Sequence, residues 1–270
     1  MTRKLLLTSL LALGAATVAT SAGAQQSRDW NWSGTLGAGR TIYLRNINGD
    51  VRFEAGTGNK VEVRAEKRWR RGNPDEVRIE ARQSGSGDGD VIICAFWNER
   101  ATCDENGYHG NNDRDRRWRD DDDNGNVSVH FVVKIPANAR VDASTVNGEM
   151  IVEGTSADID ASTVNGNIEA HSASGRVEAN TVNGSITVRT NNANVDGLEY
   201  STVNGSITIE LPANVNANIS MTTVNGNLSS DFPLTLDGTI NPRRIRAKLG
   251  NGGPTIRATT VNGSVRLRKQ

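Results

Sequence analysis

The chain has 270 residues with 31 basic and 31 acidic side chains, so its formal net charge is zero, and only 4% of its residues are aromatic. A neutral chain lacks the basic excess of a protein that binds nucleic acid in bulk. Because Gly, Asn, Thr, Ser and Val are abundant, the composition favours many short strands joined by tight turns over helices.

The N-terminus has the pattern of a secretory signal peptide. Arg3 and Lys4 precede an apolar run over residues 5–18, and a small-residue Ala-Gly-Ala pattern ends at Ala24. We therefore expect residues 1–24 to be removed and the mature protein to be exported, either to the periplasm or to the extracellular space. The apolar run is shorter than the roughly 18 residues that a membrane span needs, so no span is expected.

Residues 25–140 are predicted to form a less regular β section. The strings "TIYLRNINGDVRFEA" from Thr41 and "VSVHFVV" from Val127 alternate apolar and polar residues, as strands with one buried face do. Residues 98–126 are rich in Asp and Arg and are predicted to be a loop insertion.

Cys94 and Cys103 are the two cysteines of the chain. In an exported protein, two cysteines nine positions apart are expected to form one disulfide, which would close the loop "CAFWNERATC". A redox or metal-binding role is the alternative.

The insertion contains a partial calcium-loop motif. In "DDDDNGNVSVHF" the first half of a D-x-D-x-N-G loop is matched by Asp120, Asp122 and Asn124. Position twelve, which should be a bidentate Glu, is Phe131. The motif is thus either a weak Ca²⁺ site or a solvated acidic turn, and no other cofactor is expected.

Two segments mix basic and aromatic residues. They contain Arg68, Trp69 and Arg70 in the first and Arg117 and Trp118 in the second. Such patches contact anionic polymers through charge and stacking. The alternative is a pair of solvated loops.

The phrase Val-Asn-Gly recurs six times in the C-terminal half and predicts a repeat region over residues 141–270. Its asparagines are Asn147, Asn165, Asn183, Asn204, Asn225 and Asn262, with successive gaps of 18, 18, 21, 21 and 37 residues. Apolar residues alternate before and after each phrase, so each unit is predicted to be a strand, an Asn-Gly corner, a second strand and a polar return. An outlying copy, Ile47-Asn48-Gly49, lies near the start.

Two architectures fit this unit. Asn-Gly favours type I′ hairpins, which would give an antiparallel meander. A solenoid instead explains the recurrence every 18 to 21 residues, because each coil lies on the one before it and the asparagines stack into a ladder. We favour a single-chain, all-β solenoid, continuous with the N-terminal section as one domain, in which the corner glycines permit positive φ.

The run from Thr41 to Ala55, the following "NKVEVRAEKR" and the tandem "STVNGNI…NTVNGSI…STVNGSI" block resemble a bacterial family of exported β-strand-repeat proteins. Members of that family are called adhesins or have no assigned function. The resemblance covers roughly residues 36–268 and implies a β-solenoid outside the cytoplasm. It brings no catalytic residues with it.

One outward column of the repeat is acidic. We define the acidic column as the equivalent positions Asp142, Asp160, Glu178 and Glu199 of four successive units. Carboxylates at ladder spacing repel one another, so the column either binds cations or a cationic ligand, or is a solvated acidic face.

No catalytic motif is evident in the sequence. The three histidines, His109, His130 and His171, have no metal-ligand spacing, and neither G-x-S-x-G nor a P-loop occurs. We therefore predict a non-enzymatic scaffold or adhesion-like interaction protein of the cell envelope, with an unknown surface polymer or protein as partner. Self-association through the open solenoid ends is an open alternative. The alternative is a β-helix-type carbohydrate-active enzyme that uses the acidic column.

Overall fold

The structure is a computed structural model, which describes residues 26–70, 73–85, 87–110, 127–172, 174–192, 196–236 and 241–270. These residues form 23 β-strands and a 3-10 turn at Pro74–Glu76, and they contain no α-helix. The predicted all-β class is therefore confirmed. Within this part of the chain, no helix is long and apolar enough to cross a membrane. The signal peptide predicted at residues 1–24 lies outside the described residues.

The N-terminal section and the repeat region both supply strands. The first nine are β1 Gln26–Thr35, β2 Thr41–Arg45, β3 Val51–Ala55, β4 Lys60–Trp69, β5 Arg78–Gln83, β6 Val91–Phe96, β7 Thr102–Asp104, β8 Gly107–His109 and β9 Val127–Ile135. The others are β10 Arg140–Ser144, β11 Met150–Thr155, β12 Ile159–Ser162, β13 Ile168–Ser172, β14 Val177–Asn183, β15 Ile186–Thr190, β16 Leu198–Asn204, β17 Ile207–Leu211, β18 Ala217–Asn225, β19 Leu228–Ser230, β20 Thr235–Leu236, β21 Arg244–Leu249, β22 Thr255–Asn262 and β23 Val265–Lys269.

Two large sheets and one hairpin organise these strands. Sheet A has the spatial order β1-β4-β9-β3-β11-β13-β15-β17-β23-β19. Sheet B has the order β20-β21-β18-β22-β16-β14-β12-β10-β2-β6-β5, and β7 pairs only with β8. One hydrophobic core combines the inward side chains of both large sheets.

The middle of the molecule is regular. The units β10–β11, β12–β13, β14–β15 and β16–β17 each place their first strand in sheet B and their second in sheet A. Neighbouring units pair in parallel with equivalent residues side by side, as Ala143 does with Ala161 and Ala161 with Ala179. Because successive side chains of a strand point to opposite faces, alternate residues enter the core.

The corner asparagines show the order in which the units stack. Asn204 Nδ2 donates a hydrogen bond to Asn183 Oδ1 at 2.8 Å. The next donor is Asn262, which reaches Asn204 Oδ1 at 2.7 Å, and Asn225 Nδ2 then donates to Asn262 Oδ1 at 2.9 Å. The last unit, β22–β23, therefore lies between β16–β17 and β18–β19. The expectation that each unit lies on the one before it is wrong here, because β21 pairs antiparallel with β18 and returns the chain.

The N-terminal end also departs from chain order. The first unit, β2–β3, lies between β6 and β9 on one side and the unit β10–β11 on the other. Antiparallel strands then close this end, with β5 beside β6 in sheet B and with β4 and β1 beyond β9 in sheet A. The N-terminal section thus belongs to the same two sheets as the repeat region.

The corner glycines allow neighbouring units to approach closely. Of the seven Asn-Gly corners, only the one containing Gly49 has a glycine with positive φ, at 121°, so the expected role in positive φ is wrong for the repeated corners. A Cβ built on Gly184 would lie 1.9 Å from the carbonyl oxygen of Gly166. No carbon atom tolerates that distance, so only glycine fits where these backbones meet.

The threonine before each corner valine joins one unit to the next. Thr181 Oγ1 donates to the carbonyl oxygen of Gly166 at 3.0 Å, and Thr202 Oγ1 donates to that of Gly184 at 2.9 Å. Both threonines are buried. A buried hydroxyl needs such a partner, so the Thr-Val-Asn-Gly phrase is explained by contacts between units.

Candidate functional site

The acidic column occupies four adjacent strands of sheet B, with its members paired in register in the order Asp142, Asp160, Glu178 and Glu199. Three of its carboxylates face an arginine, at 2.6 Å for Asp142 and Arg45, 3.5 Å for Glu178 and Arg176, and 3.7 Å for Glu199 and Arg257. These arginines reduce the negative charge that the column would offer to a cation.

Asp160 is the column member that has no ion pair within the described part of the chain. Burial raises the pKa of Asp160 above its ordinary value, and the carboxylates of Glu178 and Asp142 raise it further. Asp160 is therefore harder to ionise than an ordinary aspartate.

Arg45 connects the acidic column to the disulfide loop. Its side chain is only 5% exposed, and its Nη2 donates to the carbonyl oxygen of Glu105 at 2.7 Å. The disulfide joins Cys94 on β6 to Cys103 on β7, which is the pairing that the sequence predicts. The disulfide and Arg45 thus hold the hairpin β7–β8 at the N-terminal end of the column.

The basic and aromatic residues of the predicted anionic-polymer contact do not share one face. Arg68 and Trp69 are neighbours on β4, and successive residues of a strand point to opposite sides. Trp69 packs half-buried against the core. Arg68 Nη2 lies 2.7 Å from Glu66 Oε2, and this hydrogen bond raises the pKa of the arginine. Arg70 is exposed at the end of the strand, so the three residues do not form a joint stacking surface.

Two sets of predicted site residues lie outside the described residues. They are Arg117 and Trp118 of the second basic segment, and Asp120, Asp122 and Asn124 of the partial calcium loop. Both predictions stay predictions.

Sequence reasoning missed a histidine cluster on the outer face of sheet A. His171 Nε2 lies 3.2 Å from Glu169 Oε1, and its Nδ1 lies 3.5 Å from Glu153 Oε1. A β-bulge that contains Gly154 sets the position of Glu153, and neither repeat periodicity nor spacing reveals such a bulge. These donors would suit zinc. However, Arg52 Nη2 lies 3.2 Å from Glu153 Oε2, so the Glu153 carboxylate is already shared between Arg52 and His171.

A second missed arrangement links Asp50, His130 and Ser128. His130 Nδ1 lies 3.1 Å from Asp50 Oδ2, and its Nε2 lies 3.0 Å from Ser128 Oγ. Carboxylate, imidazole and hydroxyl follow one another as in a nucleophilic hydrolase. Catalysis would also need hydrogen-bond donors for an oxyanion beside the hydroxyl. Ser128 Oγ lies instead 3.4 Å from the carbonyl oxygen of Arg68, and this acceptor would repel an oxyanion. The hydrogen-bonded series of Asp50, His130 and Ser128 is therefore a structural link between strands.

A groove with a volume of about 560 Å³ lies on the outer side of sheet A near the N-terminal end. Its lining includes Trp32, Glu62, Arg64 and Lys134, and it contains none of the acidic-column or histidine residues. Charges of both signs line it, and it gathers no pair of groups with a catalytic geometry.

The repeated corners form a surface that we name the Val–Asn ridge. It consists of the asparagine ladder and, beside it, the valines Val146, Val164, Val182, Val203, Val261 and Val224 in spatial order. These valines are 37% to 47% exposed. Within the described part of the chain, Leu236 is the one other large hydrophobic residue with comparable exposure. Apart from Leu236, the exposed large hydrophobic side chains of the described residues are thus gathered on one line.

The Val–Asn ridge is also free of charge over most of its length. Its corners 162–167, 180–185, 201–206, 222–227 and 259–264 contain no charged residue, although charged residues make up 23% of the chain. From the sequence alone, the repeated phrase is assigned to the corner of each unit and to no surface, and this gap in the charge pattern is the signal that marks it as a surface.

The charges at the two ends of the Val–Asn ridge are opposite. Asp50 and Glu149 follow the first two corners and are exposed. At the other end, Arg243 accepts a backbone hydrogen bond from Thr223 and Arg244 pairs with Thr222, and both arginines are exposed. The ridge therefore runs from an acidic end to a basic end.

Comparisons with known proteins agree with the resemblance seen in the sequence. The profile of a family described as Toastrack DUF4097 matches residues 40–268. A proposed cell adhesion protein from Clostridium sporogenes is 10% identical, with a TM-score of 0.47, covering 90% of this chain and 100% of that one. A proposed adhesin from Bacteroides fragilis is 12% identical, with a TM-score of 0.37, covering 92% of this chain and 97% of that one. No curated protein matches the sequence.

Proposed function

Since this chain belongs to the Toastrack DUF4097 family, we propose that it is an exported, non-enzymatic interaction protein of the cell envelope. In this proposal the two-strand units form an open β-solenoid, and the Val–Asn ridge along its corner is the binding surface. The partner is a surface polymer or a protein that contacts several units at once.

The gathering of exposed valines on one uncharged line is the observation that carries the proposal. A soluble protein scatters single hydrophobic residues over its surface, and a contiguous apolar patch marks a place where another molecule binds. Charge depletion at the centre of a contact surface is likewise typical of protein interfaces. The ridge combines both features over five of its six units.

Export is supported by the disulfide between Cys94 and Cys103, because disulfides persist in oxidising compartments such as the periplasm and the extracellular space. The signal-peptide pattern of residues 1–24 points the same way.

The acidic column gives little support to a carbohydrate-active enzyme. A glycosidase needs one carboxyl group that is protonated and a second that is ionised and free to act. Three of the four column carboxylates face arginines, so they are engaged in ion pairs and are not free to act as the second group.

Binding of the labelled mature protein to isolated cell envelopes tests the proposal, with Val203→Lys as the ridge variant. Thr208→Lys is the matched control, because it adds the same charge to the same unit on the outer face of sheet A. We expect the ridge variant to lose at least about tenfold in affinity and the control to bind as the wild type does. Equal binding by all three proteins would refute the ridge as the surface, and cleavage of envelope polysaccharide would refute the non-enzymatic role.

A further inference from the structure

The structure allows a more specific statement about what covers the Val–Asn ridge, and this statement rests on the proposed function of that surface. We propose that the protein partner of the ridge is a second copy of this chain, so that the envelope contact of the proposed function is made with a copy held there. The two copies lie side by side, with the ridge of one antiparallel to the ridge of the other. The geometry of the ridge, the charges at its two ends and the closure of the two sheet ends all contribute to this assignment.

The spacing of the ridge suits pairing with itself. Its valines stand on neighbouring parallel strands, so they repeat at the strand spacing of about 4.8 Å. A second ridge has the same repeat, and each valine of one copy therefore fits between two valines of the other, as identical side chains do in dry strand interfaces. The asparagine amides are already bonded along the ladder, so part of their polar capacity is satisfied before the surfaces meet.

Charge favours a two-fold arrangement at this face. In a two-fold dimer the same patch meets itself, which would place like charges together on a charged face such as the acidic column. The five central and C-terminal corners of the ridge contain no charge, so their contact brings no such repulsion.

The ends of the ridge select the antiparallel orientation. Antiparallel ridges place the acidic end, with Asp50 and Glu149, against the basic end of the other copy, with Arg243 and Arg244. The two-fold axis then passes between the units of Val182 and Val203, which stand at the middle of the valine row. A parallel arrangement would instead bring Glu149 close to its own copy.

End-to-end association, which the sequence leaves open, is less favourable in this structure. The outermost strands at the C-terminal end are short, with three residues in β19 and two in β20. At the other end, β1 has its outward Asp29 in an ion pair with Arg64. Short or charged edge strands discourage the pairing of sheets from two molecules, so the uncharged ridge is the more favourable surface for a second copy.

Sedimentation equilibrium of the mature protein from about 1 μM to about 300 μM tests the inference. We expect the wild type to form a dimer, Val203→Lys to weaken it at least about tenfold, and Thr208→Lys to leave it unchanged within about twofold. A charge-swap pair tests the orientation: Glu149→Arg and Arg243→Glu should each weaken the dimer, and their combination should restore it.

A wild type that stays monomeric throughout this range would overturn the inference, and so would a Val203→Lys protein that dimerises like the wild type. Failure of the charge swap to restore the dimer would overturn the antiparallel orientation. A monomeric wild type whose envelope binding is still lost on Val203→Lys would leave the proposed function intact, whereas a dimer that binds no envelope would remove the proposed function alone.

Discussion

Units in the middle of the molecule stack in chain order, whereas the first and the last unit lie between neighbours that are distant in sequence. From β10 to β17 the four consecutive units pair with one another in chain order. The unit β22–β23 instead separates β16–β17 from β18–β19. This difference shows that the Thr-Val-Asn-Gly phrase determines the contacts between two adjacent units. It does not determine which two units are adjacent.

In this arrangement the strands of the end units have fewer open edges, because antiparallel strands can then close the stack. In chain order, the last unit would leave both of its strands as open edges. In the observed order β21 pairs with β18 on one side while β22 pairs with it on the other. The same placement completes the Val–Asn ridge, since Val261 fills the position between Val203 and Val224.

Removal of residues 250–270 should have the largest effect on stability. The unit β22–β23 pairs with strands on both sides in both sheets, so its loss leaves a gap inside the stack. We expect the melting temperature, followed by circular dichroism, to fall by more than about 10 °C. Removal of β1, which pairs only with β4, is the control and should lower it by about half as much or less. A small change in the first variant would show that the terminal unit is not part of the stack.

Substitution of a corner glycine in the middle of the stack should have the second-largest effect on stability. In Gly184→Ala the new Cβ would meet the Gly166 carbonyl oxygen at 1.9 Å, so the two units must separate. We expect a loss of about 3 kcal/mol in the free energy of unfolding by denaturant titration. Gly58→Ala is the control: its φ is 63° and no atom lies within 4 Å of the added Cβ, so we expect about 1 kcal/mol. Similar losses at both sites would contradict the role of close approach.

Loss of a threonine hydroxyl between units should destabilise the protein less than the glycine substitution does. Thr181→Val leaves the Gly166 carbonyl oxygen without its side-chain donor, and we expect a destabilisation of about 1 kcal/mol. Thr187→Val, on the half-exposed outer face, should change stability by less than about 0.5 kcal/mol. Equal values in denaturant titration would show that the hydroxyl of Thr181 contributes nothing between units.

The smallest effect is expected for Asp160→Asn. Burial and neighbouring carboxylates raise the pKa of Asp160 in the folded state, so the folded state holds this proton more tightly than the unfolded state does. The charged form therefore destabilises the protein above the raised pKa, and this penalty disappears as the pH falls through that pKa towards the unfolded value. We expect the variant to melt slightly higher than the wild type at pH 7 and to lose this advantage in acid. A variant that melts lower at pH 7 would contradict the pKa shift.

Local features were predictable from the sequence, because they repeat at short range. The alternation around Ala161 and Ala179 sets which residues enter the core, and the recurrence of Asn165 and Asn183 predicts their ladder. The position of Asn262 was not predictable, because every Thr-Val-Asn-Gly corner offers the same contacts to every other corner. Glycine is required at position 184 because the backbone of the neighbouring unit lies so close. The sequence of one repeat unit alone does not reveal this contact.

The candidate sites also combine features that the sequence predicted with contacts that it did not predict. The acidic column follows from parity and was predicted, but its arginine partners Arg45 and Arg257 come from strands that are distant in sequence. The contact of His171 with Glu153 depends on a bulge at Gly154, which breaks the period on which the prediction was based. The Val–Asn ridge could have been recognised from its missing charges, since that signal is visible in the sequence.

The order of the units is measured most directly by pairs of introduced cysteines on the ridge, because the two native cysteines are already joined. In the observed order, Val203 and Val261 stand on neighbouring strands about 4.8 Å apart, whereas Val203 and Val224 are separated by about twice that distance. A disulfide needs Cα atoms within about 7 Å. We therefore expect Val203→Cys with Val261→Cys to form an intramolecular disulfide under mild oxidation, and Val203→Cys with Val224→Cys to stay reduced within each molecule. The opposite result would show a stack in chain order and would contradict both the intercalated last unit and the continuous ridge built from it.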